Sequence, residues 1–198
     1  GLDIFDSLAH GMTIIATGGF STKNMSIGHF DSIYTEIVTI VFMLISALPF
    51  ILIFYSLRNN FMDLFKNSQV QFFLLLVSLI TLIVMFWLTK FYEVDYLQAL
   101  RISSFAVISI ATGSGFSTYD FSEWGTFTTL LFLFLMLMGG CSGSSSSGLK
   151  IFRIQILLKT SFTLIKKIIQ PRGVFIPTYN SNEINEEILN SVTGYFFL

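Results

Sequence analysis

Long apolar runs separated by short polar segments dominate the pattern along the chain. Residues 34–57 contain no basic residue and only one acid, Glu36, near their start, and residues 72–89 carry no charge at all. About 20 apolar residues suffice for a helix to cross a bilayer, so both runs predict membrane-spanning helices. Pro49 lies inside the first run and predicts a kink there, which membrane helices tolerate.

Two further segments are half apolar and too short to span. Residues 2–15 and 96–111 predict short helices, and each leads into a stretch rich in Gly, Ser and Thr. A third apolar run, residues 127–138, breaks at the small residues 139–148 and resumes at Leu149. The order is therefore a span, a short helix, a loop and a second span, repeated along the chain.

This repeat predicts how the chain divides. Residues 72–168 form one complete unit, and residues 1–57 form the short helix, loop and second helix of another. Residues 58–71 are a cytoplasmic connector, and residues 169–198 are a linker with the start of the next unit. We therefore expect an all-α membrane protein, and the chain reads as a fragment of a longer one.

Composition strengthens the membrane assignment. Hydrophobic residues make up 53% of the chain and charged residues 12%, with a mean hydropathy of +0.74, whereas soluble domains carry about 25% charged residues. A net charge of −1 without a basic patch argues against a nucleic-acid partner. The single cysteine, Cys141, excludes an internal disulfide and offers no metal-site spacing. No cofactor and no enzymatic activity are expected.

Basic residues mark the cytoplasmic ends of membrane spans. Arg58 and Lys66 flank the connector between the first two spans. A second basic group follows the third apolar run and consists of Lys159, Lys166, Lys167 and Arg172. With these ends in the cytoplasm, both Thr/Gly loops of a multi-pass protein face outward.

The two Thr/Gly loops carry nearly the same residues. The first loop is Ala16–Lys23 and the second loop is Ala111–Tyr119, with Gly115 placed 96 positions after Gly19. Irregular backbone at membrane depth is tolerated where it lines water or is buried in protein. Carbonyl oxygens of such loops can replace the hydration shell of a cation, and glycine lets successive carbonyls turn inward. Because neither loop contains a carboxylate, we expect neutral dipoles to bind potassium.

The predicted potassium ligands are backbone carbonyls of Thr17, Gly18, Gly19 and Phe20, and of Thr112, Gly113, Ser114, Gly115 and Phe116. The side chains of Phe20 and Phe116 are also expected to pack behind their loops as supports. The partly negative C-terminal ends of the short helices would point toward the ion.

The ten small residues after the third apolar run predict a gate. This Gly/Ser loop consists of Gly139, Gly140, Cys141, Ser142, Gly143, Ser144, Ser145, Ser146, Ser147 and Gly148. Its low helix propensity and backbone freedom would let it occlude an ion path and move aside. Lys150 could repel a cation or extend to the cytoplasmic surface. A simple hinge or cytoplasmic linker is the alternative, but the preceding run is too short to cross, which favours a loop inside the bilayer.

Three motifs, taken in order, resemble a known family. Ile15–Thr22, followed by Ser26–Ser32, is similar to a second filter region, and Ser109–Thr118 is similar to a third. Gly139–Gly143 with Gly148–Arg153 resembles the broken helix after that filter. The family is TrkH, the membrane subunit of bacterial Trk potassium uptake systems in the Trk/Ktr/HKT superfamily, and the resemblance covers essentially the whole chain.

The resemblance implies four non-identical units around one potassium path, with one key glycine per filter, matched here by Gly19 and Gly115. It implies that the Gly/Ser loop gates the path below the filter. It also implies a homodimer in the bacterial inner membrane and a cytosolic, TrkA-like nucleotide-binding subunit that controls the gate. The basic segment 159–172 is the expected contact surface.

Two departures and two alternatives remain open. Ser144–Ser147 replaces a run that is commonly Gly-rich in the family, and the first filter unit and nearly all of the fourth are missing. A Na⁺-permeable or Na⁺-coupled relative is the alternative within transport. A distant alternative is an intramembrane serine protease with Ser142 as nucleophile, although His10 and His29 are expected across the membrane from it.

Overall fold

The computed structural model describes residues 2–170, 173, 175–179 and 182–197 of the chain. Arg172, part of the predicted basic segment, lies outside the described residues, as do Gly1 and several positions of the predicted linker. Helices account for most of the described residues, and the strands among them form one two-residue pair. The predicted all-α architecture is confirmed.

The helices in chain order are α1 (Ile4–Ile15), α2 (Ile33–Ser46), α3 (Phe50–Arg58), α4 (Met62–Lys66), α5 (Ser68–Phe91), α6 (Tyr96–Thr112), α7 (Gly125–Leu137), α8 (Ile151–Ile169) and α9 (Glu186–Phe197). Two 3-10 helices, Ser26–Phe30 and Phe121–Trp124, follow the first and second loops. The strands β1 (Thr178–Tyr179) and β2 (Asn182–Glu183) pair antiparallel, with Thr178 opposite Glu183.

Helix α5 has the length and hydropathy of a membrane span. It is 24 residues long, with a mean hydropathy of 2.6 over an 18-residue window, and it extends the predicted span at both ends. The side chain of Asn67 caps its N-terminus by accepting a hydrogen bond from the Gln69 amide. One stripe of buried residues at helical spacing packs along α6 and consists of Val70, Phe73, Val77, Thr81, Val84 and Leu88.

The kink predicted at Pro49 within residues 34–57 is present as a full break in the helix. The segment forms two helices, α2 and α3, whose axes differ in direction by 100°. Pro49 lies at the N-terminus of α3, and proline both lacks an amide hydrogen and disfavours helical backbone in the preceding residue. The carbonyls of Ser46 and Ala47 are freed at the break, and the Gly/Ser loop supplies their hydrogen-bond donors. Sequence alone could show the proline but not those distant donors.

Helices α1 and α6 occupy the two segments predicted as short helices. Helix α6 packs against α2, α5 and α7, while α1 packs on α2. The largest fully buried side chains include Phe73 of α5 and Phe105 of α6. The core therefore runs along the contact between the span and the second short helix, directly behind the second loop.

The helix after the second loop is broken as predicted, with slightly different limits. Helix α7 ends at Leu137 and α8 begins at Ile151, two residues after the predicted restart. Met138 and Leu149 form a parallel bridge across the base of the Gly/Ser loop. The amide of Gly139 donates to the carbonyl of Leu149 over 2.9 Å. The two ends of the break are thus held together by the backbone.

Candidate cation filter and the loop beside it

The two Thr/Gly loops share one backbone geometry. Thr17 and Gly113, 96 positions apart, have φ angles of 51° and 71°, and Gly19 and Gly115 have φ angles of 69° and 76°. In each loop the intervening residue, Gly18 or Ser114, is not among the positive-φ residues. Such alternation lets successive carbonyls turn to the same side of the chain, an arrangement suited to lining an ion path.

The backbone conformation shows which residues of the two loops are equivalent. Aligned at their first residues, Ala16 and Ala111, the loops would pair Thr17 with Thr112. The left-handed conformation of Thr17 instead corresponds to that of Gly113, in agreement with the 96-position offset between Gly19 and Gly115. Thr112 is the last residue of α6, and its hydroxyl is hydrogen-bonded with Ser114 Oγ over 2.8 Å. Thr17 therefore holds a β-branched side chain where glycine is preferred, at a cost of about 1 kcal/mol.

The structure brings the two loops into contact. A Cβ atom added to Gly19 would overlap the carbonyl oxygen of Ser114. Beyond the loops, the amide of Gly28 donates to the carbonyl of Ser117 over 3.2 Å. The amide of Ser117 in turn donates to Ser26 Oγ over 3.3 Å. Segments 89 to 95 positions apart thus lie side by side, although nothing in the sequence of either loop indicates that it contacts the other.

The prediction that both phenylalanines pack behind their loops is supported by burial for Phe116, whereas the Phe20 ring lies beside Gly18 of its own loop, 3.3 Å from the position of an added Cβ, and stays exposed. Phe116 is 2% exposed, whereas Phe20 is 77% exposed. The Phe116 ring lies 6.2 Å, centroid to centroid, from the ring of His10 on α1. The second loop is therefore supported by the helix that precedes the first.

His10 is a supporting residue to which the sequence assigned no role. Its Nδ1 lies 2.7 Å from the carbonyl of Asp6, and its Nε2 lies 2.9 Å from Ser21 Oγ. The carboxylate of Asp6 accepts a hydrogen bond from Thr22 and pairs with Lys23 at 3.2 Å. The available signal was the spacing of Asp6, His10 and Ile14, which share the buried face of α1.

The Gly/Ser loop contacts both Thr/Gly loops. The hydroxyl of Thr17 donates to the carbonyl of Ser145 over 3.1 Å, and Ser145 Oγ donates to the carbonyl of Ile15 over 2.8 Å. Near the second loop, a Cβ on Gly113 would lie 2.8 Å from Ser147 Oγ. The loop predicted as a gate therefore lies at the C-terminal ends of both short helices.

Hydrogen bonds to the α2–α3 break also hold the Gly/Ser loop. The amide of Cys141 donates to the carbonyl of Ala47 over 2.9 Å, and the amide of Ser145 donates to the carbonyl of Ser46 over 3.2 Å. The amide of Phe50 donates back to the carbonyl of Gly143 over 3.1 Å. In this conformation the backbone of the loop is therefore held by hydrogen bonds to residues that are distant along the chain.

Lys150 points into the loop that precedes it. Its ammonium donates to the carbonyls of Ser144 and Ser146, the latter bond being the shorter. Of the predicted roles, extension to the cytoplasmic surface is wrong here. A positive charge instead gathers loop carbonyls that would otherwise be free to coordinate a cation.

Three carboxylates line a cavity beside the segments that follow the two loops. The cavity has a volume of about 610 Å³, and Asp31, Glu36 and Asp120 contribute to its wall. Hydrogen bonds from the hydroxyl and amide of Ser122 lower the pKa of Asp120 below its usual value. Carboxylates that stay ionised raise the local concentration of cations.

The serine-protease alternative finds no catalytic pair among the described residues. The backbone amide of Ser142 donates a hydrogen bond to Gln69 Oε1 over 2.9 Å. Both ring nitrogens of His10 already have partners, namely Asp6 and Ser21. Within the same described part of the chain, no group of three or more His, Cys, Asp or Glu residues could hold a metal ion.

Comparison with known proteins places this geometry in context. Residues 2–198 match the profile of the TrkH family, described as cation transport proteins. The Trk system potassium uptake protein TrkH of Halomonas elongata is 38% identical over 200 residues, covering 99% of this chain and 41% of that protein. TrkH of Escherichia coli K12 is 33% identical over 201 residues, with 99% and 41% covered. The chain thus spans about two fifths of the length of these relatives.

A solved structure also resembles the chain. The crystal structure of the potassium transporter TrkH from Vibrio parahaemolyticus superposes with a TM-score of 0.94 at 31% sequence identity. The match covers 100% of this chain and 43% of that one.

Proposed function

The chain belongs to the TrkH family of cation transport proteins, and from that membership we propose that it serves potassium uptake across the bacterial cytoplasmic membrane. It contributes two filter loops and one gate to the path. Potassium exchanges hydration water for carbonyls at Thr17–Phe20 and Thr112–Phe116, and the other quadrants of the path come from sequence that the relatives possess beyond the matched segment.

The observation that carries this proposal is the contact between two loops with the same backbone geometry. Gly19 and Ser114 approach so closely that no side chain fits between them. Left-handed backbone also recurs at equivalent positions, Thr17 and Gly19 in the first loop and Gly113 and Gly115 in the second. Two ordinary Gly-rich turns have no reason to share both features. A common axis between the loops accounts for both.

The position of the Gly/Ser loop supports its role as the gate. Ser145 contacts the first loop, and Ser147 lies beside Gly113 of the second. The bonds from this loop to Ser46 and Ala47 are the contacts that would hold the proposed gate closed. Opening then means exchanging these contacts, not unfolding a helix.

The orientation proposed from the basic residues agrees with the internal contacts of α5. One end of α5 is joined to the segment after the second loop, since Trp87 Nε1 donates to the carbonyl of Trp124 over 3.0 Å. At the other end Ser68 accepts a hydrogen bond from Gln155 of α8, the helix that carries the basic segment. We therefore place the loops outside, α8 at the cytoplasmic face, and the protein in the membrane as a multi-pass homodimer.

A cytosolic nucleotide-binding subunit is the proposed regulator of the gate. Lys166 and Lys167 at the end of α8 are exposed, and they lie on the same helix as Ile151, which donates its amide to Gly140 in the Gly/Ser loop. A partner bound to this basic end would therefore act on the gate through a single rigid element.

Uptake measurements in a host that lacks its own potassium uptake systems test the proposal. The complete transporter that contains these residues should restore growth at limiting K⁺ and drive K⁺ accumulation. Ser142→Ala should behave like the wild type, because the Ser142 side chain has no catalytic pair among the described residues. Equal uptake of Na⁺ would support the sodium-permeable alternative. No uptake of either ion by protein present in the membrane would contradict the proposal.

A further inference from the structure

One residue of each short helix holds its loop at two points. Ser109 of α6 accepts hydrogen bonds through its carbonyl from the amides of Ser114 and Gly115, over 3.0 and 3.4 Å. Its side-chain hydroxyl donates to the carbonyl of Phe116 over 2.6 Å. Ser109 is 1% exposed, so water does not compete for these bonds.

The first loop repeats this arrangement 96 positions earlier. Thr13 of α1 accepts a hydrogen bond through its carbonyl from the amide of Gly18, over 2.8 Å. Its hydroxyl lies 3.0 Å from the carbonyl of Phe20. Thr13 and Ser109 are therefore equivalent helix residues, and each binds the residue before and the residue after the glycine of its loop.

In both loops the two bonds bracket the glycine proposed to line the path. Gly19 lies between Gly18 and Phe20, and Gly115 lies between Ser114 and Phe116. A peptide unit held on both sides cannot rotate independently, because each residue has only two soft torsions. The distance between opposing carbonyls, which sets the preference among cations of different size and hydration, depends on such restraint.

We infer that Ser109 and Thr13 are positioning residues for ion selectivity, an assignment that rests on the proposed potassium path. Their hydroxyls hold the carbonyl that follows each filter glycine, and thereby hold the carbonyl of the glycine itself. Neither hydroxyl is itself an ion ligand. The glycine is selective because the helix residue behind it restrains the loop.

The hydroxyl of Ser109 holds its loop more strongly than the hydroxyl of Thr13. The Ser109 hydroxyl has the Phe116 carbonyl as its acceptor, whereas the Thr13 hydroxyl also lies within 3.1 Å of the Ala9 carbonyl and 3.2 Å of the His10 carbonyl. A hydroxyl donates one hydrogen, so the bond to Phe20 is shared with ordinary helix acceptors. Loss of the Ser109 hydroxyl should therefore have the larger effect.

The test is the K⁺/Na⁺ uptake ratio of Ser109→Ala in the complete transporter, measured in the same deficient host. We expect the ratio to fall about fivefold, the factor that corresponds to one lost hydrogen bond, with K⁺ uptake retained. Thr13→Val should give a smaller fall. Ser109→Thr should keep the wild-type ratio, because helix α1 carries a threonine, Thr13, at the equivalent position before the first loop.

Ser103→Ala is the matched control. Ser103 is fully buried on the same helix, and its hydroxyl donates to the carbonyl of Leu100 over 3.2 Å, away from the loop. An unchanged ratio in Ser109→Ala, or an equal fall in Ser103→Ala, would overturn the inference. If Ser109→Ala does not reach the membrane, Ser109→Cys, of similar size and with a weak donor, replaces it. Absence of uptake by the wild type would instead refute the proposed function.

Discussion

The glycines of the two loops are needed for different physical reasons. Gly19 has a positive φ and also faces the carbonyl of Ser114, so a side chain there meets both backbone strain and a collision. Gly115 has a positive φ, but an added Cβ would find no atom within 4 Å. The same residue type in a repeated motif is thus required for backbone conformation alone at Gly115, and for both conformation and close packing at Gly19.

Alanine substitutions should separate these two constraints. Gly115→Ala should cost about 1 kcal/mol of stability through backbone strain, and should lower K⁺/Na⁺ selectivity. Gly19→Ala should cost more and also reduce K⁺ uptake, because it pushes the second loop away. Thermal unfolding in detergent and ion uptake of the complete transporter measure the two effects.

Gly11→Ala provides the control for these substitutions. Gly11 lies in the middle of α1, and its added Cβ would have open space. Since alanine favours helices, stability should rise by up to about 1 kcal/mol and selectivity should stay unchanged. Equal losses at Gly11 and Gly19 would contradict the assignment of the first loop to the filter.

At the scale of elements, the two broken helices depend on each other. The break between α2 and α3 leaves the carbonyls of Ser46 and Ala47 without helical donors, and the break between α7 and α8 supplies those donors. Ser145 contacts both the α2–α3 break and the end of α1, because its amide donates to the carbonyl of Ser46 and its one hydroxyl hydrogen is shared between the carbonyls of Ile15 and Ser46. Each irregular segment supplies hydrogen-bond partners to the backbone of the other. Such pairing matters in a membrane protein, because unpaired polar groups inside a bilayer are costly.

If the Gly/Ser loop is the gate as proposed, Ser145→Ala should destabilise its closed conformation. It removes the hydroxyl bonds to Ile15 and Ser46 but keeps the small size of the residue, so we expect a higher rate of ion flux, by about fivefold. Removal of Ser144–Ser147 should raise the flux further. Tracer uptake into vesicles that contain the complete transporter measures both.

Ser142→Ala is the matched control within the same loop. Ser142 uses its backbone amide to contact Gln69, so its variant keeps the recorded contact. A wild-type rate is expected for it. Unchanged flux in Ser145→Ala and in the deletion would argue that the Gly/Ser loop is a linker and not the gate.

At the scale of the molecule, an ion pair among the described residues joins the two predicted units. Arg101 of α6 lies 3.4 Å from Glu36 of α2, measured from Nε to Oε2, and it also donates to the hydroxyl of Tyr119 over 3.3 Å. The Glu36 side chain is 8% exposed and that of Arg101 is 26% exposed. Such a pair contributes to the alignment of units, since breaking it leaves a charge with little water.

Glu36→Gln should therefore lower the free energy of unfolding by about 1–3 kcal/mol. The double variant Glu36→Gln with Arg101→Gln should lose less than the sum of the single losses, because no unpaired charge remains. Asp63→Asn, at the exposed pair with Lys66, should change stability by less than about 0.5 kcal/mol. Additive losses at Glu36 and Arg101 would show that the pair does not couple the units.

Much of the candidate site could be predicted because it is local. The residues of both loops, the short helices before them and the break at 139–148 all follow from runs of a few residue types. The support by His10, the exposure of Phe20 and the inward direction of Lys150 could not be predicted in this way. Each depends on atoms that are distant along the chain.

The sequence by itself determined that this is a helical membrane protein with a repeated Thr/Gly loop. Hydropathy and glycine content act on neighbouring residues, so they can be read along the chain. Only the tertiary structure decided that the loops touch and that the span expected over 34–57 bends by 100°. These features depend on which distant donors and acceptors meet, and backbone hydrogen bonding does not depend on side-chain identity.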